Sequence, residues 1–243
     1  MRQYFIDKKI EINETFNFNE KQSHHIKNVL RMKTGDIIRV VDINNNVFLV
    51  EIDVDSNVSA KVLENIADFY DESEIIYCPA LIKKDKWDYL LQKAAELGAT
   101  KVVPLITSRT IFKVDEQRLD KRVQRWNKIT LEACQQSNRN SKCIVEKPIK
   151  LEEITKFLSE NNIVAYENED NIYLSDLIDD KSITFVIGPE GGFTQDEIDY
   201  LTSLDFYCVN LGRRILRAET AGLYVLSVID AKRNNLWNLQ YVI

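Results

Sequence analysis

Glycine is scarce in this chain: seven in 243 residues. The sequence has no internal repeat and no low-complexity segment. No stretch approaches the ~18 uninterrupted apolar residues of a transmembrane helix, so no membrane partner is expected. The start, Met1-Arg2-Gln3-Tyr4-Phe5-Ile6-Asp7, meets charge too early to read as a secretory signal. Cys78, Cys134, Cys143 and Cys208 are scattered, with no Cys-x-x-Cys pair. That pattern excludes a zinc ribbon and a disulfide framework, and it fits a reducing, cytoplasmic location. The two histidines, His24 and His25, are too few for most His-rich metal sites, and no metal is expected. Gly-x-x-x-x-Gly-Lys-Ser/Thr and Gly-x-Gly-x-x-Gly are both absent, which removes the familiar phosphate cradles. No Ser-His-Asp order suggests itself either.

What the chain does have is the composition of a folded globular protein. It is 44% hydrophobic and 29% charged, and its length suits one large or two small domains. The formal net charge of −6 argues against nucleic-acid binding taken as a sum. Local field matters more than the sum. Lys83-Lys84-Asp85-Lys86, the segment 118–128 and Arg213-Arg214 are basic clusters, each also readable as a solvated face. Acid concentrates in 53–74 and 152–199.

Of the few glycines, Gly188, Gly191, Gly192 and Gly212 fall in two short loops. The first is Ile187-Gly188-Pro189-Glu190-Gly191-Gly192-Phe193. The second is Asn210-Leu211-Gly212-Arg213-Arg214-Ile215-Leu216-Arg217-Ala218-Glu219-Thr220. Glycine serves where backbone bends sharply or lies close to a ligand. Each loop follows a strand-like apolar run, 184–187 or 206–209, and precedes a helix-like segment. Two such loops at strand ends suit a small-molecule site in an α/β sheet.

Residues 1–70 read as a small, mostly β domain. Runs at 37–41, 47–52 and 58–63 are β-branched, with Asn44-Asn45-Asn46 and Ser56-Asn57 as turn signals. A helix is expected over 19–32 with Asn19 as its cap. The acidic, unpatterned segment 64–74 marks the boundary. From 75 to 243 strands and helices alternate. Strands are expected at 75–81, 101–106 and 163–166, and in the two glycine-loop units. Helices are expected at 85–97, with Gly98 as its stop, at 116–136 and at 218–234. The fold class is therefore α/β with a mostly parallel sheet behind a smaller β domain.

The residues also carry a resemblance. Gly188-Pro189-Glu190-Gly191-Gly192-Phe193, together with Leu211-Gly212-x-Arg214-Ile215-Leu216-Arg217-x-Glu219-Thr220-Ala221, resembles the SPOUT methyltransferases. Within that class the chain is similar to the bacterial 16S ribosomal RNA uridine-N3 methyltransferases. His24-His25-Ile26-x-x-Val29-Leu30-Arg31, Lys93-Ala94-Ala95-Glu96-Leu97-Gly98 and Arg125-Trp126-x-Lys128-Ile129 extend the likeness along nearly the whole chain. Asn44-Asn45-Asn46 departs from the family's usual glycines after Asp42. The resemblance implies an N-terminal PUA-like β-barrel that grips RNA. It also implies a C-terminal parallel-sheet domain threaded as a trefoil knot, a homodimer, S-adenosyl-L-methionine as cofactor, and the 16S rRNA of the small ribosomal subunit as substrate.

On that resemblance, the cofactor is held by Ile187, Gly188, Pro189, Gly191, Gly192, Leu211, Gly212, Ile215, Leu216 and Thr220. Methylation of uracil N3 requires loss of the imide proton, so an acceptor near N3 and a cation near O2 or O4 would help. Glu190 and Arg217 are the candidates. Glu190 reads equally as a cap for its own loop's N–H groups, and Arg217 as a partner of Glu219. Glu219 and Thr220 could cap the last helix. RNA contacts are expected from Arg31 first, then His25, Arg109 and Arg139, with surface ion pairing as each arginine's alternative. Trp126 reads as core or interface. The rival functional readings are a SPOUT enzyme with another RNA target, a non-enzymatic RNA-binding or ribosome-assembly factor, and a nucleotide-binding enzyme.

Overall fold

A computed structural model of the chain describes residues 2–55, 57–66, 73–111, 116–169 and 172–234. They divide into two units, one of 1–71 with 134–141, the other of 72–133 with 142–243. The sequence carries no signal that assigns 134–141 to the first unit. The expected boundary segment 64–74 lies partly outside the described residues.

In the first unit the β-branched runs become strands: β1 (Gln3–Phe5), β2 (Thr15–Asn17), β3 (Ile37–Val41), β4 (Val47–Asp53) and β5 (Ser59–Ile66). They form one sheet in the order β1-β3-β4-β5-β2, antiparallel except for the β1–β3 pair. Ile38, Val40, Val50, Ile52, Ala60 and Val62 form its buried core. Asn45 adopts φ +63, and the buried Asp42 carboxylate accepts the Asn44 and Asn46 amides at 2.8 and 2.9 Å. Asparagine tolerates that left-handed geometry, so it does here what glycine would do.

The helix expected over 19–32 is only partly α-helical. Asn19 caps α1 (Glu20–His24) in a reciprocal capping box with Gln22. The chain then widens into a π-turn, His25–Val29, in which Leu30 N donates to His25 O at 2.9 Å. Arg31, at φ +53, ends it.

The second unit holds β6 (Ile75–Pro79), α2 (Lys84–Glu96), β7 (Lys101–Val102), β8 (Leu105–Ile106), α3 (Leu119–Gln136) as far as Ala133, β9 (Ile144–Val145) and β10 (Ile149–Lys150). A 3-10 segment, Leu151–Phe157, leads to β11 (Asn161–Ala165), α4 (Leu174–Leu177), β12 (Ile183–Ile187), α5 (Gln195–Ser203), β13 (Tyr207–Val209) and α6 (Ala218–Arg233). Six of these strands make a parallel sheet in the order β13-β11-β12-β6-β7-β9. Every residue of β6 and β12 is buried, as expected for central strands covered on both faces. In α2 one face closes onto the core through Trp87, Leu90, Leu91 and Ala94, and Gly98 at φ +99 stops the helix. Trp126 is buried, its ring 5.5 Å from that of Trp87, which makes it core.

The single strand expected over 101–106 is two. Pro104 has no N–H to donate, so the ladder breaks there. Beyond it Leu105–Ile106 pairs with β10 in a separate two-stranded sheet.

Candidate active site at the strand ends

β11, β12 and β13 are adjacent and parallel, so their carboxyl ends lie side by side. Ligands of open α/β sheets sit at such ends. The two glycine loops leave β12 and β13 there, and the segment Ala165-Tyr166-Glu167 leaves β11. Together with the first turn of α6 they enclose a cleft of about 760 Å³, within the range of small-molecule sites.

The first loop is braced from outside. The Arg109 guanidinium donates to Gly191 O at 2.6 Å and to Phe193 O at 3.1 Å. Glu197, in the first turn of α5, accepts from Thr194 N at 2.8 Å and Ser108 N at 2.7 Å. Burial pushes the Glu197 carboxyl up, but these amide hydrogen bonds outweigh it and hold the group below its ordinary value. The loop's backbone is tight: a Cβ on Gly188 would press on the Phe193 ring at 3.0 Å, and Gly192 sits at φ +67. The second loop hangs from Asn210, whose side chain accepts from Gly212 N at 2.6 Å and donates to Glu169 O. Gly212, at φ +105, has open space where a Cβ would stand.

Known proteins share this fold and resemble this sequence. A family profile described as an RNA methyltransferase domain matches residues 70–230, and one described as an RNA methyltransferase PUA domain matches residues 18–60. The chain is 32% identical to ribosomal RNA small subunit methyltransferase E of Bacillus subtilis, over 95% of this chain and 96% of that protein. The chain belongs to the RNA methyltransferase family. The enzyme of the same name from Rickettsia conorii is 34% identical over 85% of each chain. The solved structure of the Neisseria gonorrhoeae enzyme, bound to S-adenosyl methionine, superposes with a TM-score of 0.87 at 27% identity, covering 96% of this chain and 98% of that one.

In this RNA methyltransferase the cleft gathers most of the expected site residues from two loops. Ile187, Gly188, Pro189, Gly192, Leu211, Gly212, Ile215 and Leu216 all line it, as do Glu190 and Arg217. Gly191 and Thr220 do not. Gly191 faces the Arg109 side chain, whose Cδ lies 3.4 Å from where its Cβ would be. Thr220 is exposed on α6, while Ala218 and Ala221, three apart and on one helical face, reach the cleft. Ile215 is 88% exposed.

Among the described residues Glu190 makes no hydrogen bond to its own loop. Gly192 N donates instead to Pro189 O at 2.9 Å. Glu219 pairs not with Arg217 but with Lys86, at 2.9 Å. Burial raises the Glu219 carboxyl, and the Lys86 hydrogen bond, its own backbone amide and the Lys86 and Arg217 charges bring it below its ordinary value. Arg217 is the N-cap of α6 and gives it no side-chain cap bond.

The expected RNA contacts separate. His25 and Arg31 are exposed, and His25 Nδ1 is hydrogen-bonded to the Tyr4 hydroxyl at 2.7 Å. Arg109 is committed to the first glycine loop. Arg139 is 6% exposed and donates to Ser141 Oγ at 2.9 Å, so it is an interior group of the first unit and not a surface cation. Residues that sequence reasoning missed are Lys86, Glu167 and Tyr173, which line the cleft, and Glu197, which braces it. Only Glu197 had a signal, the Thr194-x-x-Glu197 capping box directly after the first loop. Lys86 comes from α2, about a hundred residues away in sequence.

Proposed function

We propose that this chain transfers a methyl group from S-adenosyl-L-methionine to N3 of one uridine in 16S ribosomal RNA of the small ribosomal subunit. The observation that carries the reading is the placement of Glu190 and Arg217 on one cleft walled by both glycine loops. The cleft fits the cofactor in size and in charge. It carries Glu167 beside Lys86, Arg213, Arg214 and Arg217, as suits a ligand with both an amino cation and a carboxylate. Backbone of the two loops and the apolar Ile187, Leu211, Ile215 and Leu216 would hold its adenosine part. S-adenosylmethionine supplies the electrophilic methyl group.

The chain's own residues prepare the acceptor. The Glu190 carboxylate, uncommitted within its loop, takes the N3 proton of the uracil ring. The Arg217 guanidinium faces the negative charge that then spreads onto O2 and O4. His25 and Arg31 of the first unit contact RNA phosphates. The homodimer, the trefoil threading and a cytoplasmic location belong to the same proposal. The apolar and largely exposed Ile215 is a group a second subunit would cover.

The test is methyl transfer from labelled S-adenosylmethionine to small ribosomal subunits from a strain lacking this protein, followed by digestion to nucleosides. Label in 3-methyluridine is the expected result. Label in another nucleoside, or in a ribose 2′-O-methyl group, overturns the position of transfer.

A further inference from the structure

Four cations line the cleft: Lys86, Arg213, Arg214 and Arg217. The three arginines are exposed members of the second loop. Lys86 differs. It stands on the first turns of α2, its side chain is 29% exposed, and its ammonium is held at 2.9 Å by the Glu219 carboxylate, itself 13% exposed. The ammonium of the pair is incompletely satisfied. An ammonium has three donors, and Glu219 uses one. A half-buried cation with spare donors toward a ligand cleft is stabilised by a second acceptor, most of all by an anionic one.

We propose that Lys86 is the carboxylate-binding residue of the cleft, receiving the α-carboxylate of the methionine part of the cofactor, and that Glu219 is its positioning residue. This rests on the cleft being the S-adenosylmethionine site. The charge arrangement favours this ligand group. Glu167 suits the cofactor's amino cation, and its only anion needs a cation that is fixed in place. Among the described residues only Lys86 of the four is tied down by a carboxylate. A preorganised ammonium loses less freedom on binding than an exposed arginine without a carboxylate partner among the described residues would.

The experiment is calorimetric titration of the full chain with S-adenosylmethionine and with its decarboxylated analogue, which lacks only the carboxylate. Wild type is expected to prefer S-adenosylmethionine by about tenfold or more, the scale of a charge-assisted hydrogen bond. Lys86→Met is expected to lose about tenfold in affinity for S-adenosylmethionine and to bind the analogue nearly as wild type does, so the preference collapses. Lys86→Arg, which keeps the charge, retains most of it. Thermal melts of each variant report whether it is folded, and the Arg variant supplies the comparison if Met does not fold. Equal losses for both ligands in Lys86→Met, or an unchanged preference, overturn the proposal. Equal affinity of wild type for both ligands overturns it while leaving the cofactor reading intact. No binding of either ligand overturns the cofactor reading and this proposal together.

Discussion

Gly222 of α6 meets Tyr77 of β6 with no room for a side chain: a Cβ there would come within 3.0 Å of the Tyr77 hydroxyl oxygen and ring. Tyr77 cannot yield easily. It is fully buried and stacked on Phe185, with ring centroids 4.6 Å apart. Helix propensity alone would favour alanine at Gly222 by about 1 kcal/mol. Overpacking a rigid core costs about 1–3 kcal/mol, so the clash wins. Gly222→Ala is expected to lower the melting temperature, read by calorimetry. Tyr77→Phe relieves it only in part, since ring carbon remains in the way. By itself Tyr77→Phe is expected to be neutral or slightly stabilising, because the hydroxyl is buried without a partner among the described residues.

Glu197 gives stability a pH dependence of known sign. Its carboxyl is held below the ordinary value of 4.5 in the folded chain. A carboxyl depressed by folding contributes above its unfolded value, and that contribution fades as pH falls through the folded value. Urea melts between pH 3 and 6 should therefore show wild type losing stability more steeply toward acid than Glu197→Gln. At neutral pH the variant is expected to be less stable by about 1–2 kcal/mol. Parallel pH profiles would show that the ionised group does not matter.

Arg109 offers a choice between two roles. As a brace of the first glycine loop, its replacement by Met should weaken cofactor binding by about tenfold, the scale of a lost charge-assisted hydrogen bond. Affinity for the ribosomal subunit should change little. The reverse pattern would return Arg109 to the RNA. Gly191→Arg should abolish methylation by displacing the Arg109 side chain that packs where a Cβ would point.

Glu190→Gln separates proton transfer from binding. Turnover is expected to fall about 10²–10⁴-fold, with affinity for S-adenosylmethionine within about twofold of wild type. A parallel loss of cofactor affinity would mean that Glu190 holds the cofactor instead. Arg217→Ala should lower turnover on the same subunits, read in the same assay.

RNA binding by a chain of net charge −6 must depend on local cations. Affinity for the small subunit should fall steeply with salt. Arg31→Ala should flatten the slope of log affinity against log salt by about one phosphate contact. An unchanged slope would remove Arg31 from the interface.

What the sequence by itself determined is local. The Asn19 cap, the Gly98 stop and the two strand-loop-helix units were legible, and the Thr194-x-x-Glu197 box was a local signal that went unread. They depend on residues within a few positions of one another, where backbone periodicity and capping chemistry are decided. The two loops were legible as a candidate site because glycine is so rare elsewhere. The tertiary structure decided the rest. Pro104 broke the run 101–106, but the structure alone gave the part beyond it, β8, its partner in β10. The structure paired β12 with β6 across more than a hundred residues, turned Arg139 inward, set Arg109 against Gly191, and brought Lys86 to Glu219. All of these but the turn of Arg139 join segments far apart in the chain. Their partners are chosen by packing and by burial of charge, and no local pattern of residues encodes that choice.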